Sequence, residues 1–497
     1  MNPKEMNPQD TITSRKPVRT RIVVIGAGFG GIGLGIKLKA AGLDDFVILE
    51  KSDSVGGVWR ENRYPGAACD VPSHLYSFSF EPRADWPRKY AGQADILDYL
   101  VHCARKYGLA PHIRFGAEVT EARWDETSNH WIVRSRDGSV FETQSLVTAT
   151  GQLSKPVIPP LAGLTDFAGP TFHSAQWRPD VDLAGKRVAV IGTGASAIQF
   201  VPAIAPLADK LTVFQRSAAY VLPKPDKVYP AWQLALFRRI PGALRLSRML
   251  QYFTHEVTAF AFVTFPSALK VKRPAFRRHL RDGVGDPAVR ARLVPNYRLG
   301  CKRILLSNDY FQAFDRPNVA LVTEDIREIR ADAIVTADGT EQKIDCIIFG
   351  TGFAATDFLV PMKVTGVAGQ DLHQVWKDGA EAYLGMTVAG FPNFFMLYGP
   401  NTNLSHNSIV FMLESQIRYV VACLQRLRGA RSIEVKQDVQ NRFNARLQQR
   451  LRHTVWAKGC ASWYLTAGGR NTTNWPGYTF EFRLRTRAPK WNDYAVR

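Results

Sequence analysis

The sequence predicts an α/β chain built from two Rossmann-type units with a helical insertion. Three observations carry that expectation. A strand, a glycine run, a helix and a second strand follow one another from Arg21 to Glu50. The same order returns from Lys186 to Arg216. From Tyr229 to about Gly300 the composition shifts to Arg, Leu, Phe and Ala, which reads as helices.

The first unit opens on Arg21–Ile25, a β-branched run that reads as a strand. Gly26-Ala27-Gly28-Phe29-Gly30-Gly31 follows at once, then a helix over Ile32–Ala41 and a strand over Phe46–Glu50. Gly26 permits the tight turn, Gly28 lets backbone approach a pyrophosphate, and Gly31 lets helix and strand pack closely. The pyrophosphate would rest on free N–H groups at the helix start. Glu50 stands 24 positions after Gly26, at the end of the second strand. A carboxylate there accepts hydrogen bonds from ribose hydroxyls and repels a 2′-phosphate, so this unit fits FAD or NAD. Alternating segments continue to the strand Leu146–Thr150, and the Pro-rich stretch Lys155–Pro160 reads as a crossing between domains.

The second unit has its strand at Lys186–Ile191, then Gly192-Thr193-Gly194-Ala195-Ser196-Ala197, a helix, and a strand over Leu211–Gln215. Alanine at the third position is an accepted variant. Arg216, 24 positions after Gly192, replaces the acid of the first unit, and Ser217 follows it. A guanidinium and a hydroxyl there suit a 2′-phosphate, so NADPH is expected rather than NADH. Hydride then passes from NADPH to a flavin, which assigns FAD to the first unit. Strands return at Val319–Thr323 and Cys346–Phe349, and helices dominate from Leu413 to about Arg452. The expected division is 17–154 and 354–497 for the FAD-binding domain, 155–222 and 300–353 for the NADP-binding domain, and 223–299 for the insertion.

The chain has 497 residues, 45% hydrophobic and 22% charged, an ordinary globular balance. Its formal charge of +20 would attract polyanions. The excess is spread along the chain without a nucleic-acid-binding motif, and two phosphorylated cofactors account for part of it, so no nucleic-acid partner is expected. Six scattered cysteines with no C-x-x-C pair argue against a redox-active disulfide or a zinc site and suit a reducing cytoplasm. Met1–Thr20 is polar and lacks the apolar region of a signal peptide. Val257–Phe265 is too short to span a bilayer, so no stable membrane insertion is expected. A basic amphipathic helix can lie on a membrane; an Arg-decorated cap packed on the core is the expectation here.

What the flavin serves is told by further motifs. Phe167-Ala168-Gly169-Pro170-Thr171-Phe172-His173-Ser174-Ala175-Gln176-Trp177 resembles the F-x-G-x-x-x-H-x-x-x-W fingerprint of type I Baeyer–Villiger monooxygenases. Gly57, Trp59, Tyr64, Pro65, Gly66 and Asp70 match a second signature of that family. Arg178 before Pro179, and Gly350 where the family often has Ala, are departures that remove no chemical group. The resemblance runs from about Arg21 to Tyr478. It implies NADPH- and O2-dependent conversion of ketones to esters or lactones through a C4a-peroxyflavin, with sulfoxidation beside it. The alternative is a sulfur- or nitrogen-oxygenating flavin monooxygenase, against which Trp177 and Arg303 argue.

The peroxide must stay anionic, which calls for a permanent cation, and Arg is charged at any working pH. By resemblance to the family's segment, Arg303 in Leu299-Gly300-Cys301-Lys302-Arg303 takes that role and Asp70 orients it. Lys302 matches a position that helps hold the NADP 2′-phosphate, Trp59 and Tyr76 lie in flavin-contacting segments, and Trp463 lies in a mobile loop over NADP. His173 and Trp177 are implied to serve structure and domain motion.

Overall fold

The β-branched run at the head of the chain forms strand β1 (Val18–Ile25), whose last four residues are buried. A computed structural model describes residues 16–457, 460 and 462–497; the polar segment 1–15 lies outside them. Helix α1 (Phe29–Ala40) carries the chain back to strand β2 (Phe46–Leu49), which pairs with β1 in parallel, Ile22 opposite Phe46. Parallel strands covered by helices are buried on both faces, which is why β2 is continuously apolar. On its other side β1 pairs in parallel with Val140–Thr148. That strand in turn receives Phe394–Met396, Phe394 opposite Leu146, so a segment 248 positions downstream joins the first sheet.

The second sheet has five parallel strands. Strand β3 (Arg187–Ile191) leads through helix α2 (Ala197–Ile204) to β4 (Lys210–Phe214). Val319–Val322 flanks β4, and Cys346–Phe349 and Thr171–His173 complete the other side of β3. Two β-α-β units with switch points at their glycine turns are thus present, as the sequence predicts.

Between them lie helices α3 (Ala231–Arg239) and α4 (Ala243–Ala259), the latter running into a π-helical turn at Phe260–Thr264, followed by Arg273–Gly283 and Pro287–Arg292. Phe237, Phe262, Leu269, Phe276 and Leu280 pack this region on the core. The expectation of a plain packed cap holds for that face only, since the outer face of α4 is apolar and exposed.

Three further differences from expectation have clear causes. The α1 helix starts at Phe29 rather than Ile32, because the glycines themselves make its first turn. The helices expected from Leu413 set in earlier: helix α5 (Ile409–Arg426) begins where the Ser408 hydroxyl accepts from the Val410 N–H at 3.2 Å. The cysteines are not all unpaired: Cys301 and Cys460, 159 positions apart, form a disulfide, while Cys69, Cys103, Cys346 and Cys423 are buried thiols. Among the described residues no helix is long and apolar enough to cross a membrane.

Candidate active site

Each glycine turn is shaped by backbone that leaves no room for a side chain. Gly26 has φ +103°, and a Cβ there would lie 2.7 Å from the Ala149 carbonyl oxygen. At Gly31 a Cβ would lie 1.8 Å from the Gly26 carbonyl oxygen, so any side chain would push helix and strand apart. A Cβ on Gly28 would lie 3.6 Å from the Gly57 Cα, so this position has ordinary contact distance to the facing backbone. The α1 helix has no side-chain cap at Gly28, which leaves first-turn N–H groups for an anion. Glu50 is buried beside this turn and accepts from the Ala27 N–H at 2.7 Å and the Ser52 N–H at 2.9 Å.

The second turn repeats the design with one change. Gly192 has φ +105° and sits against the Gly350 carbonyl. Gly194 has more space, and the third position is filled by buried Ala197. Ser196 precedes α2 without capping it through its side chain. Thr193 Oγ1 donates to the Ser217 carbonyl at 3.1 Å, which ties the turn to the end of β4. Lys302 Nζ donates to Ser217 Oγ at 3.1 Å and lies 4.7 Å over the Tyr297 ring. Burial and then the like charge of Arg216 pull the Lys302 pKa down. Among the described residues neither cation has a carboxylate in ion-pair range, so Lys302, bonded to the Ser217 hydroxyl, and Arg216 stand as two like charges near each other.

Between the units stands an ion pair. Arg303 donates to Asp70 Oδ2 from Nη2 at 2.6 Å and from Nε at 3.2 Å. Arg303 is placed just before Leu305–Leu306, which pairs in parallel with Val221–Leu222. Burial pushes the Asp70 carboxyl up, yet the charge and hydrogen bonds of Arg303, with Lys224 adding, hold it below the usual range. Arg303 is raised by the Asp70 charge against its own burial, so it stays cationic throughout. The two side chains keep 29% and 27% of their surface open, enough to meet a third body.

Trp59 Nε1 donates to Tyr76 Oη at 3.2 Å, and Tyr76 packs edge-on against Phe29 of the first glycine turn. Trp463 is half-buried against Tyr464, ring centroids 4.3 Å apart. The buried Tyr464 hydroxyl meets Ser405 Oγ at 3.0 Å. His173 is fully buried, its Nδ1 accepting from the Ala175 N–H at 3.1 Å and its ring against Phe353. Trp177 packs on Phe172 and on Phe200 of α2. These two residues brace the second sheet.

Four residues had no sequence signal strong enough to single them out. Lys224 and Tyr398 join Asp70 and Arg303 electrostatically. Gln199 on α2 bridges the units, accepting from Tyr64 Oη at 3.0 Å and donating to the Ala68 carbonyl at 2.9 Å. His406 is buried with neither ring nitrogen partnered, and burial, then His255, pushes its pKa down to about 3. A lysine between two prolines (Pro223 and Pro225) is the one local hint, for Lys224.

The donors present fit both cofactors: two uncapped helix starts for pyrophosphates, a buried acid at one strand end, and two cations at the other. Such a constellation with an Asp–Arg pair between the units defines an FAD- and NADPH-dependent flavoprotein monooxygenase. Comparison with known proteins agrees. The family described as pyridine nucleotide-disulphide oxidoreductase matches residues 23–229. A Baeyer–Villiger monooxygenase of Streptomyces coelicolor is 47% identical over 480 residues, covering 96% of this chain and 92% of that one. A closed structure of cyclohexanone monooxygenase superimposes with a TM-score of 0.88 at 28% identity, covering 97% of this chain and 99% of that one. An NADP-bound oxidized steroid monooxygenase does so with 0.85 at 33%, covering 96% and 99%. The chain belongs to the Baeyer–Villiger monooxygenase family.

Proposed function

We propose that the chain converts ketones to esters or lactones with NADPH and O2, and that the Asp70–Arg303 pair is its catalytic centre. FAD, once reduced by NADPH, supplies the chemistry of O2 activation. The contact in which two Arg303 donors share Asp70 Oδ2 is the observation that carries this reading. Inserting oxygen beside a carbonyl needs a nucleophilic oxygen that stays anionic and a carbonyl oxygen that gains charge. Arg303 provides a fixed positive charge for both, and Asp70 holds the guanidinium in one orientation. Because the pair is half-enclosed, its field is screened less than on an open surface.

In this reading Gly26, Gly28 and Gly31 admit the FAD pyrophosphate, Glu50 takes the ribose, and Trp59 and Tyr76 stand beside the flavin. Gly192, Thr193, Gly194, Ser196 and Ala197 receive the NADPH pyrophosphate. Arg216, Ser217 and Lys302 take the 2′-phosphate, and Trp463 covers the nucleotide. The division at 17–154, 155–222, 223–299, 300–353 and 354–497 follows from these assignments. A cytoplasmic location is supported by four buried free thiols, with the Cys301–Cys460 pair pointing the other way.

The test is product analysis with NADPH, isotopically labelled O2 and a ketone panel. The wild type should yield esters carrying one labelled oxygen. Arg303→Ala should still bleach its flavin with NADPH and yield none. Stoichiometric hydrogen peroxide from the wild type with every ketone would sink the proposal. Labelled sulfoxides or N-oxides without any ester would favour the sulfur- and nitrogen-oxygenating reading instead.

A further inference from the structure

Helix α4 is amphipathic in the wrong sense for a surface helix. Three of its polar residues, Ser247, Arg248 and Glu256, turn inward. Arg248 Nη1 donates to the His74 and Ser77 carbonyls at 2.6 and 2.8 Å, and Ser247 Oγ meets His74 Nδ1 at 2.9 Å. Glu256 is buried, accepting from Asn407 Nδ2 at 2.7 Å and from the Thr479 N–H and hydroxyl, both at 2.6 Å. The outward residues are Leu246, Leu250, Phe253 and Val257, with Phe260 at the start of the π-helical turn continuing the row; they are spaced 4, 3, 4 and 3 apart, each 46–73% exposed. A stripe at that spacing lies along one helical face, where a surface helix ordinarily places its polar residues. Trp232 on α3 extends the apolar surface and is 68% exposed. Helix α6 (Thr479–Arg485), joined to α4 through Glu256, presents Phe480 and Leu484. A contiguous apolar face of this kind marks an interaction surface.

We infer that this face docks the enzyme peripherally on an anionic phospholipid bilayer. Charge decides the occupant. From Ala231 to Gly283 the sequence has ten Lys or Arg and two acids. One acid, Glu256, is buried and bound, and the other, Asp282, is paired with Arg281. Arg238, Arg239, Arg245 and Lys270 are exposed beside the apolar stripe. A second copy of the chain would bring like charges together, whereas acidic headgroups complement them. An apolar stripe flanked by cations, with Trp and Phe among its residues, matches a helix lying in the headgroup plane, its apolar side among the acyl chains. This docking is independent of the chemistry proposed above and buries no spanning helix.

The experiment uses FAD-loaded enzyme sedimented with sucrose-filled vesicles of phosphatidylcholine, with and without phosphatidylglycerol, at physiological salt. The wild type should bind the phosphatidylglycerol vesicles about tenfold more than the neutral ones. Leu250→Glu/Phe253→Glu should lose that binding about tenfold while keeping its flavin absorbance and its turnover of a small water-soluble ketone. Arg238→Gln/Arg239→Gln/Arg245→Gln should lose the preference for the anionic lipid. The inference is overturned if the wild type fails to sediment. It is equally overturned if the double Glu variant binds like wild type, which would mean diffuse attraction to the +20 chain. A wild-type dimer made monomeric by the double variant in sedimentation velocity would assign the face to a second copy. Failure of ketone turnover with vesicle binding intact would count against the catalytic reading alone.

Discussion

The two glycine turns differ most at their third position and at the strand end each one faces. Gly31 has its imaginary Cβ 1.8 Å from a carbonyl oxygen, while Ala197 carries a real one without conflict. Glu50 is buried and already bonded to two backbone amides, while Arg216 is exposed. The first site is therefore a rigid socket closed around its acid. The second is an open seat with Arg216 at the surface and Lys302 partly buried beside it. A resident cofactor suits the former and an exchanging one the latter, although both descend from one β-α-β plan.

The sharpest way to break this contrast is to exchange the third residues. Gly31→Ala should abolish recovery of folded, flavin-bearing protein, read from flavin absorbance per chain. Ala197→Gly should cost only about 1 kcal/mol of stability, measured by thermal denaturation. Equal tolerance at both positions would erase the distinction. Between the sites, Arg303→Ala should lower ester formation by about a hundredfold or more with little change in flavin content. At the second site, Arg216→Ala should raise KM for NADPH by roughly tenfold, leave kcat nearly unchanged and narrow the preference over NADH. Adding Lys302→Ala should then cost less than its single effect if the two share one phosphate.

The smallest effect concerns pH. Asp70 is depressed in the folded state, so its pairing stabilises fully above its unfolded pKa of about 3.9 and is lost as pH falls through the lower folded value. The melting-temperature gap between wild type and Asp70→Asn should be constant from neutral pH to about 5 and narrow below about 4. A gap that widens on acidification would contradict the ion pair.

The glycine turns and their strand-end charges were legible in the sequence because spacing along one β-α-β unit is local information. Asp70 and Arg303 lie 233 positions apart and were reached through resemblance alone. Cys301 and Cys460 escaped because nothing in a spacing of 159 marks two cysteines as neighbours. The α4 segment was read as helical from its composition, and even its 4, 3, 4, 3 apolar spacing says only that a face is apolar and not which way it points. Only the inward bonds of Arg248 and Glu256 orient it. His406 is legible to no pattern, since its defining property is the lack of any partner for its ring nitrogens.

The disulfide changes the polymer problem of the cover over the nucleotide proposed for Trp463. Arg303 and Trp463 are 160 positions apart along the backbone. Through the bridge, with its Cα atoms 6.2 Å apart, the path is two residues on one side and three on the other. At about 3.6 Å per residue, the tryptophan can never stray more than roughly 24 Å from the arginine while the bridge is intact. The bridge thus replaces a 160-position tether by one of five residues, which raises the effective molarity of the tryptophan near the arginine.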